Sequence, residues 1–111
     1  MQSLREALDA AATVRDREYI AALDKRESQL RRAGWLWEDA HAARRKWDIP
    51  MTTLIRQNKV DEYAKAMEQA DAWAQKSTEI RKRADAEKQA AMAAADKKHD
   101  AACAEARKLY K

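Results

Sequence analysis

The side chains with most chemical capacity are His99 and Cys103, four residues apart and so on one face of any helix that carries them. An imidazole and a thiol at that spacing supply half of a tetrahedral metal site. No second pair of ligands follows, and His41 would have to arrive alone from far along the chain. The pair therefore reads as a solvated histidine beside a small cysteine. Carboxylates are plentiful, but they alternate with Lys and Arg at helical spacing. That pattern gives surface ion pairs, each worth about a few tenths of a kcal/mol. A single glycine cannot build a phosphate-cradling loop, and no Ser, His and acid are spaced as a nucleophilic set. No catalytic residue, metal ligand or cofactor is expected, and the chain is read as non-enzymatic.

Beyond these side chains, the composition points to long helices as the elements that carry them. Among 111 residues there is one Gly, one Pro and no Phe, and 38% of the chain is charged. Most of the hydrophobic 46% is alanine, the best helix former but a poor source of buried area. A chain rich in Ala, Glu, Lys and Arg belongs to the long-helix class, and a thin core in so small a chain calls for burial against a partner. The fold expected is all-α: a helical hairpin with a short Trp-rich helix at the bend and a very long, coiled-coil-like C-terminal helix.

The pattern opens with Ser3-x-x-Glu6, a capping pair for a helix start. Leu4, Leu8, Ala11, Arg15, Tyr19, Ala22, Arg26, Leu30 and Ala33 then recur at spacings that repeat every eleven residues, which predicts a nearly straight helix over 4–33. Arg15 and Arg26 interrupt that stripe with long stems whose heads reach water or an acidic partner. Gly34 is expected to end or kink the helix, with Arg31 and Arg32 at its negative end. Residues 35–47 restart as a short helix closed by Asp48 and Pro50. Asn58 is placed to cap the last helix, which nothing interrupts from Val60 to Tyr110. Its seam begins as a heptad stripe of Val60, Tyr63, Met67, Ala70 and Ala74, with Trp73 and Ile80 alongside, and is extended through Ala84, Ala91, Ala94 and Ala101. A hairpin body over residues 1–80 and a basic, alanine-rich arm over 81–111 follow from this thinning.

Three of the four tryptophans, the glycine and the proline all fall within "GWLWEDAHAARRKWDIP", residues 34–50. Trp47 and Trp73 suit core positions near a bend. Trp35 and Trp37 occupy other helix faces and suit an interface, where indoles serve as anchors. Candidate protein-contact residues are therefore Trp35, Trp37, Trp47, Trp73, Arg15 and Arg26. The net charge of +4 is uneven: residues 1–75 carry 13 basic and 13 acidic side chains, residues 76–111 carry 10 and 6. Arg81, Lys82, Arg83, Lys97 and Lys98 give the arm its basic character, suited to acidic protein, nucleic acid or an anionic surface.

The stretch "AARRKWDIPMTTLIRQ", residues 42–57, resembles the helix-turn-helix segment of small DNA-binding regulators and recombinase-type domains. The resemblance covers about sixteen residues. It implies Trp47, Ile49 and Leu54 as core and Met51, Thr52, Thr53 and Arg56 as the major-groove face. The sequence departs from that pattern at the turn (Asp48), at the close-crossing position (Arg44) and at a late core position (Gln57).

A lone cysteine cannot close an intrachain disulfide, so a reducing intracellular compartment, cytoplasm or organelle interior, is expected. No apolar run suffices for a membrane span, and Glu6 and Asp9 oppose a secretory or transit signal, so secretion is not expected. The function expected is a small helical accessory subunit that bridges protein partners in a larger assembly, of the kind common in mitochondrial complexes and ribosomes. The alternatives are a helix-turn-helix DNA-binding regulator of phage or mobile-element type, and a self-associating coiled coil.

Overall fold

A computed structural model describes residues 2–110 as all-α, with helix α1 over Leu4–Lys46, α2 over Met51–Arg56 and α3 over Val60–Leu109. The start of α1 is capped as its sequence implies. The Glu6 amide donates to Ser3 Oγ at 3.2 Å, and Ala7 N–H donates to the Ser3 carbonyl. Helix α1 does not break at Gly34. It runs unbroken for 43 residues, so Trp35 and Trp37 belong to it, and Arg31 and Arg32 lie inside it rather than at an end. The short helix at the bend is α2, which carries no tryptophan.

The reason lies in Gly34's surroundings. Glycine ends helices where it adopts a left-handed backbone, and no glycine here has positive φ. A Cβ on Gly34 would meet nothing within 4 Å. Strong helix formers on both sides carry the helix through one unfavourable residue, at a cost of about 0.5–1 kcal/mol. Gly34→Ala is therefore expected to stabilise the protein by about that amount. Urea unfolding reads it directly: an unchanged or lowered midpoint would mean that the glycine has a role the helix itself does not reveal.

The turn after α1 is tied down by its backbone. Pro50 occupies the N-cap position of α2, and its carbonyl accepts from both Thr53 N–H and Leu54 N–H. At the other end, Asn58 sits at φ 54°, Asn58 N–H donates to the Ile55 carbonyl, and Lys59 N–H donates to the Leu54 carbonyl at 2.9 Å. Those two bonds with a left-handed residue between them form a Schellman ending. Asn58 thus closes α2 instead of capping α3, because asparagine tolerates the left-handed conformation that this ending demands. Asp61 and Glu62 do fall in the first turn of α3, where the helix dipole favours them.

The chain divides into two compact units. One, the turn unit, comprises Gln29–Arg83; the other, the terminal unit, joins the residues up to Ser28 with those from Ala84 onward.

In the turn unit the ends of α1 and α3 that flank α2 run antiparallel as a hairpin with α2 between them. Ser77 Oγ donates to the Ala33 carbonyl at 2.7 Å, and the Trp47 and Tyr63 rings meet edge to face at 6.3 Å. Those two contacts fix a register that sets Ala40 opposite Ala70. Ala33, Ala40, Ala70 and Ser77 are all buried, and each pair on a helix is seven residues apart. Small side chains at heptad spacing let the backbones approach closely enough for a serine on one helix to reach a carbonyl on the other. Leu54 of α2 is the only large side chain fully buried among the described residues.

In the terminal unit the period changes. Ala11 and Ala22 on α1, and Ala84, Ala95 and Ala106 on α3, recur every eleven residues, and all but the half-buried Ala11 are buried. The seam expected at Ala91, Ala94 and Ala101 is exposed instead, while Cys103 is buried and Met92 and His99 half-buried. A strict heptad drifts by about 20° per repeat around a straight helix, so extending it beyond Ala84 walks off the contact line. The α1 stripe from Leu4 to Ala33 is buried or half-buried at every position named for it. Residues 84–110, expected to extend as an arm beyond a body of residues 1–80, are packed along the N-terminal part of α1.

Ion pairs flank the terminal seam. Arg26 Nε donates to Asp85 Oδ1 at 2.6 Å, Lys98 Nζ to Glu18 Oε1 at 2.7 Å, and Lys25 lies 3.4 Å from Glu87. Tyr19 donates its hydroxyl to Asp96. The Arg26 guanidinium, by its hydrogen bond and then by its charge, holds the Asp85 carboxyl below its ordinary 3.8. Because the folded value lies below the unfolded one, this pair's contribution is complete above about pH 4 and is lost as pH falls through the folded value. Arg26→Gln is expected to flatten that acid limb of the stability curve while leaving its shape above pH 5 unchanged. Urea midpoints taken from pH 2 to 7 check this, and an unaltered acid limb would contradict it.

Candidate functional site

His99 and Cys103 do meet, with Sγ 3.5 Å from Nε2, and His99 Nδ1 lies 3.5 Å from Asp100 Oδ1. Among the described residues, no group of three or more His, Cys, Asp or Glu side chains is arranged to hold a metal ion. No described helix is long and apolar enough to cross a membrane.

What the fold positions is exposed apolar surface. Trp35 lies on the face of α1 turned away from the Ala33–Ala40 seam and is 65% exposed. Trp37, 40% exposed, sits beside the seam with its ring edge-on to His41 at 4.6 Å. Trp47 and Trp73, expected as core, are half-buried. Met51, Ile55 and Val60 add exposed apolar surface around α2, and in the terminal unit Val14, Ile20 and Leu23 do the same on α1. Reading by helical stripe missed Ile20 and Leu23 because they lie off the eleven-residue pattern; their adjacency on the outer face was the available signal.

The two arginines of the α1 stripe have separate fates. Arg26 is engaged by Asp85. Arg15 lies over the Tyr19 ring, 5.8 Å from its centroid, with Nε 3.6 Å from Asp16. Arg81, Lys82, Arg83 and Lys97 are exposed, while Lys98, also exposed, is paired with Glu18.

The residues that the helix-turn-helix resemblance singles out are brought to one short segment. Leu54 is fully buried, Trp47 and Ile49 are half-buried, and Met51, Thr52 and Arg56 are exposed, with Thr53 half-buried. Helix α2 has six residues, about 9 Å at 1.5 Å per residue. Arg44, where that motif needs a small side chain, is ion-paired with Asp71 at 2.9 Å. Gln57 is exposed as the C-cap rather than buried.

Comparisons with protein-family models, with curated proteins and with solved structures find no match for this chain.

Proposed function

We propose that the protein is a non-enzymatic helical accessory subunit that bridges other proteins in a larger assembly, with Trp35 and Trp37 as anchors. The supporting observation is Trp35, a large indole left 65% exposed near the end of a continuous helix whose own seam is built of alanine. Solvating an indole is unfavourable, and a seam of methyl groups gives the chain no interior in which to place it. A partner surface with an apolar pocket would bury it, and Trp is among the residues that dominate such interfaces. Exposed Arg81, Lys82, Arg83 and Lys97 would then contribute orientation and encounter rate more than affinity.

The test is a native pull-down with the full chain, followed by mass spectrometry and reconstitution with each purified candidate. A ribosomal or mitochondrial set of partners would place the assembly. Trp35→Ala combined with Trp37→Ala is expected to weaken a reconstituted complex by about thirtyfold or more, with the far-UV circular dichroism of the free chain unchanged. A complex of undiminished affinity would remove the indoles as anchors. A free chain that sediments as one species and retains no stoichiometric partner would remove the subunit reading altogether.

A further inference from the structure

The exposed indole of Trp35 is ringed by charge in a definite order. Arg31 and Arg32 lie one turn before it on α1, Glu38 and Asp39 lie one turn after it, and all four are exposed. A helix returns to nearly the same direction every seven residues, to within about 20°. Arg32 and Asp39 therefore share one flank of the indole, and Arg31 and Glu38 share the other. Two turns on, along the same line as Trp35, the exposed residue is Ala42, which leaves room for a second helix to lie alongside.

Read backwards, this order exchanges its signs. A second α1 laid antiparallel, with a two-fold axis passing between the two indoles, sets Arg32 against the second copy's Asp39. The same operation sets Arg31 against the second copy's Glu38, and every pair occurs twice. Each pair is level to within one residue's rise, about 1.5 Å. Laid parallel, the same face would oppose Arg32 to Arg32 and Asp39 to Asp39, which the charges forbid. The surface around Trp35 is thus complementary to itself in one orientation.

We infer that this face of α1 pairs with a second copy of the chain, antiparallel and two-fold symmetric, with the two Trp35 side chains at its centre. The indoles supply the affinity, as buried tryptophans at the middle of an interface do. Exposed ion pairs add little to that affinity, but they penalise the wrong partner and the wrong orientation. The inference rests on the reading of Trp35 as an anchor and names the surface that this anchor takes. Trp37, beside the seam, is left for other proteins, and a two-fold dimer presents every remaining surface twice, as bridging requires.

Sedimentation equilibrium of the full-length chain from about 5 to 500 µM tests it. A monomer–dimer equilibrium with Kd on the order of 10–100 µM is expected, since an interface of a few helical turns is small. Trp35→Ala is expected to weaken the dimer at least about tenfold, with the far-UV circular dichroism unchanged. Arg32→Glu and Asp39→Arg, both at exposed positions, are each expected to weaken it about tenfold, because each opposes like charges twice. Mixed in equal amounts, these two variants are expected to recover a heterodimer within about threefold of the original affinity, because every pair is again of opposite sign. A chain still monomeric at about 500 µM overturns the inference. So does a dimer that Trp35→Ala leaves intact, or a mixture as weak as its separate variants. A monomer whose complexes with other proteins still depend on Trp35 would sink the self-pairing and spare the subunit reading; a dimer that retains no other protein would do the reverse.

Discussion

Leu54→Ala is expected to cost about 2–5 kcal/mol, most or all of the stability a chain of this size can hold in its turn unit. Leu54 is the one buried residue of α2 and the only large side chain fully enclosed among the described residues. Its backbone is held as firmly as its side chain: the N–H donates to the Pro50 carbonyl and the carbonyl accepts from Lys59. Six residues cannot hold a helix in water by themselves, so α2 exists because Leu54 is docked. Truncation leaves a cavity beneath a segment with no other fully buried side chain, and Ile55, 63% exposed, cannot substitute. Hydrogen exchange of residues 51–59 is expected to accelerate by orders of magnitude in Leu54→Ala, along with a large fall in the urea midpoint. Ile55→Ala, one residue on, is expected to change stability by less than about 0.5 kcal/mol. Equal effects from the two variants would show that α2 is not docked through Leu54.

The same contrast between Leu54 and Ile55 shows what the sequence discloses and where it stops. Helix content and the α1 stripe are legible, since alanine, capping residues and an eleven-residue period act locally and add up over many turns. Leu54 is marked as core only through the resemblance of residues 42–57 to a helix-turn-helix segment. The continuation of α1 through Gly34 is not legible, because glycine is read as a stop and only the backbone conformation decides. The role of Asn58 is misplaced for a related reason: asparagine serves both as an N-cap and as a left-handed closing residue, and the choice depends on how α2 ends. In the second half of α3, from Ala84 to Ala106, alanine recurs in several registers at once, so the sequence offers competing seams. Ala91, Ala94 and Ala101 fit a heptad as well as Ala84, Ala95 and Ala106 fit the longer repeat. The partner helix breaks the tie, since the α1 stripe already follows the eleven-residue period. For the candidate surfaces, the outward placement of Trp35 follows from helical spacing, which sets it opposite the Ala33–Ala40 line and Trp37 beside that line. The separate fates of Arg15 and Arg26 do not, because they depend on which arginine finds a carboxylate across the seam: Arg26 reaches Asp85, and Arg15 pairs with its own neighbour Asp16.

Ser77→Leu is expected to be as damaging as the loss of Leu54, by the opposite mechanism. Ser77 is 1% exposed, and its hydroxyl lies 2.7 Å from the Ala33 carbonyl of the facing helix. A side chain on one helix can reach a carbonyl on another only where the two backbones are drawn close, and the alanines at positions 33, 40 and 70 permit that approach. Leucine there has no volume to enter. It must push α1 and α3 apart, and the displacement is shared along the seam to Ala40 and Ala70. Overpacking of this kind costs about 1–3 kcal/mol, and the buried residue directly facing position 77 is Ala33, whose methyl cannot rotate out of the way. The serine's own hydrogen bond, worth about 1 kcal/mol, is lost in addition. Ser77→Ala separates the two terms: it removes the hydroxyl, keeps the volume small, and is expected to cost about 1 kcal/mol, since the Ala33 carbonyl remains within the α1 hydrogen-bond ladder. Urea unfolding of the two variants side by side is the measurement. If Ser77→Leu were no worse than Ser77→Ala, the helices could not be in close contact at this point. If both were neutral, position 77 would not lie in the seam, and the register set by Ala33 with Ser77 and by Trp47 with Tyr63 would be wrong.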